Sequence, residues 1–151
     1  MNTDYKCDVV INFTNGDVVI VVSGNGQTFS FRSGLGFMAL PEFFLALTNL
    51  YKRETNKSKL DYHGNYDYYY FSSDGTYLQV ERISPFTDET FYFIFNLKQY
   101  MMAVDKGFSK YLQHVQREKL LPAYKEEDEI INPLGNTVIK FYNDFSSVIN
   151  N

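Results

Sequence analysis

The chain has no tryptophan, one cysteine (Cys7), two histidines (His63 and His114) and four prolines in 151 residues. A lone cysteine cannot close an internal disulfide, which fits a reducing cytoplasm and a fold held by its core. Scattered His and Cys residues cannot supply the local ligand spacing of a zinc site. Asp61, Asp67 and Asp74 do not follow the spacing of an EF-hand loop, so no metal site and no cofactor is expected. Long apolar runs are missing too. No stretch approaches the roughly 18 to 20 residues that span a bilayer. The polar start Met1 to Lys6 and the short, β-branched run Val18 to Val22 do not read as a secretion signal, so a cytoplasmic protein without membrane contact is expected. Cations are outnumbered: 14 Lys and Arg stand against 18 Asp and Glu, a net charge of −4. That balance makes a nucleic-acid partner unlikely, since such domains neutralise phosphates with a strongly basic surface.

What is abundant is aromatic: 13 tyrosines and 14 phenylalanines. Phenylalanine fills cores, whereas tyrosine joins an apolar ring to a hydroxyl that needs water or a partner, so this excess suggests strands buried on one face. The apolar share of 44% against 21% charged residues is that of a globular chain, and its length suits a single domain over residues 1–151.

Period-2 alternation predicts strands over Lys6 to Phe13, Asp17 to Ser23 and Thr28 to Arg32, with Asn15-Gly16 and Ser23-Gly24-Asn25-Gly26 as turns. Pro41 suits the first turn of a helix running to about Glu54, its apolar face formed by Phe43, Leu47, Leu50 and Tyr51. Polar Thr55 to Lys59 ends that helix. Four more strands follow at Leu60 to His63, Tyr66 to Phe71, Thr76 to Ile83 and Thr90 to Phe95, with turn chemistry at Ser73-Asp74-Gly75. Asn96 and Gln99 form a capping-box-like start to a helix through about Leu121, whose buried stripe is Leu97, Tyr100, Met101, Val104, Phe108, Leu112 and Val115. Gly107 implies a close contact or a break. After Pro133, the residues Leu134, Val138, Phe141, Phe145 and Val148 outline a final helix. The expected class is α+β: a mostly antiparallel sheet of about six to seven strands with about three helices packed on it, in the order βββ-α-ββββ-α-α.

Chemistry-bearing patterns are sparse. Asp61 and His63 share a strand face and could orient a general base, but no nucleophile motif accompanies them. Cys7 alternates with apolar neighbours and reads as a small core residue. Gly24-Asn25-Gly26 and Gly34-Leu35-Gly36 lack the strand-to-helix context of a phosphate loop and read as turns. The lysines around positions 52 to 59 and along the second helix read as solvated faces. The distinctive string is Tyr66-Asp67-Tyr68-Tyr69-Tyr70: alternation sets Tyr66, Tyr68 and Tyr70 against Asp67, Tyr69 and Phe71, and both faces cannot be dry. Phe91, Phe93 and Phe95 are assigned to packing. The acidic run Glu126, Glu127, Asp128 and Glu129 is a solvated loop or a contact for a basic surface.

A small, acidic, sheet-plus-helix chain with no catalytic signature resembles the bacterial immunity proteins that neutralise polymorphic or contact-dependent growth-inhibition toxins. The resemblance lies in the general profile of the whole chain. It implies a non-catalytic protein that covers a cognate, basic toxin, such as a nuclease, by protein–protein contact. Tyr66, Asp67, Tyr68, Tyr70 and Glu126 to Glu129 are the partner-binding candidates, read from the residues alone. The alternative is a small-ligand-binding or enzymatic domain with an aromatic pocket between sheet and helices, using Asp61 and His63.

Overall fold

Alternating apolar residues and two-residue connections make the first part of the chain a meander. The computed structural model describes residues 7–14, 17–24, 26–34, 36–60, 68–84, 86–118 and 136–150. Strands β1 (Asp8–Thr14), β2 (Asp17–Gly24) and β3 (Gln27–Gly34) pair antiparallel in that order. The registers Thr14↔Asp17 and Gly24↔Gln27 leave two residues for each turn. Gly26 takes a φ of 74° in the second, a conformation a side chain disfavours. Asn15 and Gly16 lie outside the described residues. Val9, Ile11, Ile20, Val22 and Phe29 fill the buried face.

Helix α1 (Gly36–Tyr51) starts five residues before Pro41, which therefore lies inside it and not at its first turn. Beyond the first turn a proline lacks the amide that would donate to the carbonyl four residues back, so one backbone bond of the opening turns is missing. Leu40, Phe43, Phe44, Leu47 and Leu50 form its buried stripe. Arg53 closes the helix with a left-handed φ of 63°, and the Glu54 amide donates back to the Asn49 carbonyl at 2.9 Å.

The second antiparallel meander is β4 (Lys57–Leu60), β5 (Tyr68–Ser73), β6 (Tyr77–Ser84) and β7 (Glu89–Asn96), again paired in chain order. Strand β4 begins at Lys57, three residues ahead of the expected start, because Lys57, Ser58 and Lys59 pair with Ser72, Phe71 and Tyr70 of β5. At the β5–β6 turn the Asp74 carboxylate accepts from the Thr76 and Tyr77 amides at 2.9 and 2.8 Å, and Gly75 adopts a φ of 97°.

Helix α2 (Leu97–Glu118) is capped by Asn96, whose side-chain oxygen accepts from the Gln99 amide at 2.9 Å. Its stripe runs Leu97, Tyr100, Met101, Val104, Phe108 and Tyr111, with Leu112 only half-buried. A 3.6-residue period carries the face from Val104 to Tyr111. The helix passes Gly107 unbroken, because here it lies against β1: a Cβ at Gly107 would stand 2.5 Å from the Val9 carbonyl oxygen. Helix α3 (Asn136–Ile149) buries Val138, Tyr142, Phe145 and Ile149, while Phe141 and Val148 are half-buried. The expected stripe was rotated by a fraction of a turn. The difference arises because Tyr142 is held by the Asp105 carboxylate of α2, to which its hydroxyl donates at 2.7 Å. Leu134 lies outside the described residues.

The α+β class and the element order are as expected, but among the described residues the seven strands form two sheets, of three and four strands, instead of one. The facing edges are β3 and β7. Between them the Gln27 side chain does what a strand residue would do. Its amide nitrogen donates to the Ile94 carbonyl at 2.7 Å, and its oxygen accepts from the Ile94 amide at 2.8 Å. Phe29 packs on Phe93 just inside this seam, with ring centroids 4.7 Å apart. Buried residues of both sheets and all three helices make one cluster. At its centre Phe44 meets Phe108 edge-on at 5.0 Å and Phe145 at 5.5 Å. Among the described residues no helix is long and apolar enough to cross a membrane.

Candidate protein-binding face

The inner face of the four-stranded sheet is occupied by the core, and that fixes what points the other way. Tyr69 and Phe71 of β5, Leu78 and Val80 of β6, and Phe95 of β7 are buried. The Tyr69 hydroxyl is satisfied inside, donating to the Ser30 carbonyl of β3 at 3.3 Å. Because side chains alternate along a strand, Tyr68 and Tyr70 must point outward. Tyr68 is 39% exposed and Tyr70 is half-buried.

The strand registers assemble the outward residues into rows across the sheet. One row reads Lys59, Tyr70, Glu81, Tyr92, and the next reads Lys57, Ser72, Gln79, Ile94. Tyr68 stands beside Ile83 and Thr90, and Tyr77 is outward near the other end of β6. Tyr92 is 58% exposed, and Tyr77 and Ile94 are 43% and 42% exposed. The ammonium of Lys57 lies 4.8 Å from the Tyr70 ring centre and that of Lys59 4.3 Å from the Tyr68 ring centre. Such cation–π contacts hold flexible lysines flat on the sheet. The Tyr92 hydroxyl donates to the Glu81 carboxylate at 3.4 Å. The result is an aromatic face with fixed charges of both signs.

Of the partner-binding candidates, the structure brings Tyr68 and Tyr70 together on this face. Tyr66, Asp67 and Glu126 to Glu129 lie outside the described residues, as do Asp61 and His63 of the catalytic reading. Tyr77, Tyr92 and Ile94 were not singled out from the sequence, and Lys57 and Lys59 were read there as part of a solvated cationic cluster. The signal was present in Thr90 to Phe95, since packing of Phe93 and Phe95 sends Tyr92 and Ile94 outward by the same alternation. One packing assignment needs correction. Phe95 is buried and Phe93 rests on Phe29, but Phe91 is 39% exposed. It stands near the start of β7, away from α2, with the Arg82 guanidinium 4.6 Å from its ring centre. Phe86, in the β6–β7 turn, is 77% exposed.

Two concavities stand out. A shallow one of about 710 Å³ lies on the outer face between Asn56, Lys57, Ser73, Tyr77 and Ile94. A groove of about 890 Å³ runs between β1 and α2, past Cys7, Asp105, Lys110 and His114. The space between sheets and helices, where an aromatic pocket was expected on the ligand-binding reading, is filled by the ring cluster around Phe44 and Phe108. Cys7 is half-buried, its thiol donating to the Gln99 carbonyl at 3.7 Å. Burial, with a smaller contribution from the Asp8 carboxylate, pushes that thiol up to about 12. It is therefore a poor source of thiolate at neutral pH. Among the described residues no three His, Cys, Asp or Glu side chains are grouped so as to hold a metal ion. Compared with protein-family models, curated proteins and solved structures, the chain matches none.

Proposed function

We propose that this chain is a non-catalytic binding protein that recognises a protein partner through the outer face of its second sheet, in the manner of an immunity protein covering its toxin. The observation that carries this reading is the group of outward aromatics, Tyr70 and Tyr92 in one row with Tyr68 next to it, and with Tyr77 and Ile94 on the other side. Large rings held on a rigid sheet lose little freedom when covered, and tyrosine is enriched where partners dock. The lysines and Glu81 give the face directional contacts. The face itself is not acidic. A basic toxin would be steered by the net charge of −4 and by Glu126 to Glu129, with the aromatic rows slowing dissociation.

Co-expression with the product of the neighbouring gene tests the proposal. Rescue of growth and co-purification are expected, and both should fail for a folded Tyr70→Ala/Tyr92→Ala variant. A neighbouring product that is neither toxic nor bound would remove the toxin reading. Undiminished binding by the double variant would remove this face.

A further inference from the structure

The outer face also carries a charge pattern that fits itself. In the row Lys59, Tyr70, Glu81, the lysine and the carboxylate flank the tyrosine at one strand spacing on either side, about 4.8 Å each. A two-fold axis that passes over Tyr70 and packs two sheets face to face can run either along β5 or across the strands. The axis along β5 exchanges β4 with β6, so Lys59 of one copy faces Glu81 of the other, twice over. The axis across the strands sets like charge against like. Only the first arrangement is complementary, and it also sets Lys57 against the uncharged Gln79 and small Ser72 against itself. Aligned sheets pack with their strands within about 30° of each other, which such an axis allows.

We propose that the occupant of this face, when no other partner holds it, is a second copy of the same chain, paired about an axis along β5 with reciprocal Lys59–Glu81 contacts. The inference concerns the face named in the functional proposal but rests on its own observation, the placement of opposite charges about Tyr70. The overlap takes in β4, β5 and β6 and leaves β7 beyond the contact, so three strands about 4.8 Å apart, with outward residues about 6.7 Å apart along each, give a footprint of about 300 Å² per copy. Stable complexes bury about 800 Å² per partner. The self-contact is therefore weak and dissociates on dilution. A partner with a larger footprint displaces it, so self-association and partner binding exclude each other.

Sedimentation equilibrium of the full chain between about 10 µM and 1 mM decides the matter. A monomer–dimer equilibrium is expected, weakened by salt because its ion pairs lie at a partly wet contact. Lys59→Glu and Glu81→Lys should each weaken association at least tenfold, with folding checked by circular dichroism. An equimolar mixture of the two variants should restore it, because each then offers the other two opposite charges. A chain that stays monomeric throughout would overturn the inference, and so would single variants that associate normally or a mixture that fails to. These failures leave the functional proposal standing, since partner binding is read separately from growth rescue. Loss of rescue with intact self-association would do the reverse.

Discussion

Replacing Gly107 by alanine sets two well-characterised effects against each other. In an open helix the change would stabilise by about 1 kcal/mol, because glycine has more backbone freedom to lose. Here the added Cβ would stand 2.5 Å from the Val9 carbonyl oxygen, 3.2 Å from its carbonyl carbon and 3.3 Å from its Cγ1. An ordinary carbon–oxygen contact is about 3.3 Å, so α2 and β1 must separate by about 0.8 Å, and overpacking of this kind costs about 1 to 3 kcal/mol. The upper part of that range applies because the obstacle is backbone inside a ladder and cannot rotate aside. The net expectation is destabilisation of about 1 to 2 kcal/mol, opposite in sign to helix propensity. Urea denaturation measures it, with the exposed Gln113→Ala as a control that should move by no more than about 0.5 kcal/mol. In a Val9→Ala background the cost should persist, since that change removes Cγ1 and leaves the carbonyl. A Gly107→Ala protein as stable as the parent, or more so, would refute the close approach.

Tyr100 and Tyr142 make a contrasting pair. The Tyr100 hydroxyl is buried without a hydrogen-bond partner among the described residues, and burial holds its ionisation well above the usual range. Tyr100→Phe should therefore be neutral or stabilising by up to about 1 kcal/mol in denaturant melts, whereas Tyr142→Phe, losing its 2.7 Å bond to Asp105, should cost about 1 to 2 kcal/mol. Cys7 gives a pH test. Its folded ionisation lies near 12 against an ordinary 9.0, so its contribution to stability is intact below pH 9 and is lost as pH rises from there towards 12. Alkylation of native protein at pH 8 should be slow and should accelerate in urea, and rapid native labelling would contradict the burial. Gln27→Ala removes both bonds to Ile94 and should cost about 1 to 2 kcal/mol, with faster hydrogen exchange at the Ile94 amide.

Alternation made the strands legible. Val9 and Ile11 in β1, and Leu78 and Val80 in β6, are buried as a period of two requires. The same rule divided the tyrosine string into two faces, but not which face was wet. That depended on the neighbours: the core takes Tyr69 and Phe71, which leaves Tyr68 and Tyr70 outside. The division into two sheets was not legible, because the join is made by a glutamine side chain that no strand pattern marks. Nor was the start of β4, where Lys57 and Lys59 read as polar residues ending a helix and only their partners Ser72 and Tyr70 show them to be strand residues. In α3 the phase was misjudged because Tyr142, amphipathic by nature, is drawn inward by a carboxylate on another helix.

The order of strands also has a kinetic consequence. Every ladder joins strands adjacent in the chain, so each hairpin closes a short loop and can form before distant parts of the polypeptide meet. Gln27 and Ile94 are 67 residues apart, and the bonds between them are made by one side chain, so the long-range closure between the two meanders requires no ladder to be threaded. The two meanders can mature separately, and α2, which follows β7 directly and lies against β1, brings them together as it docks. On this account, substitutions at Gln27 should leave the folding rate almost unchanged and act on the rate of unfolding.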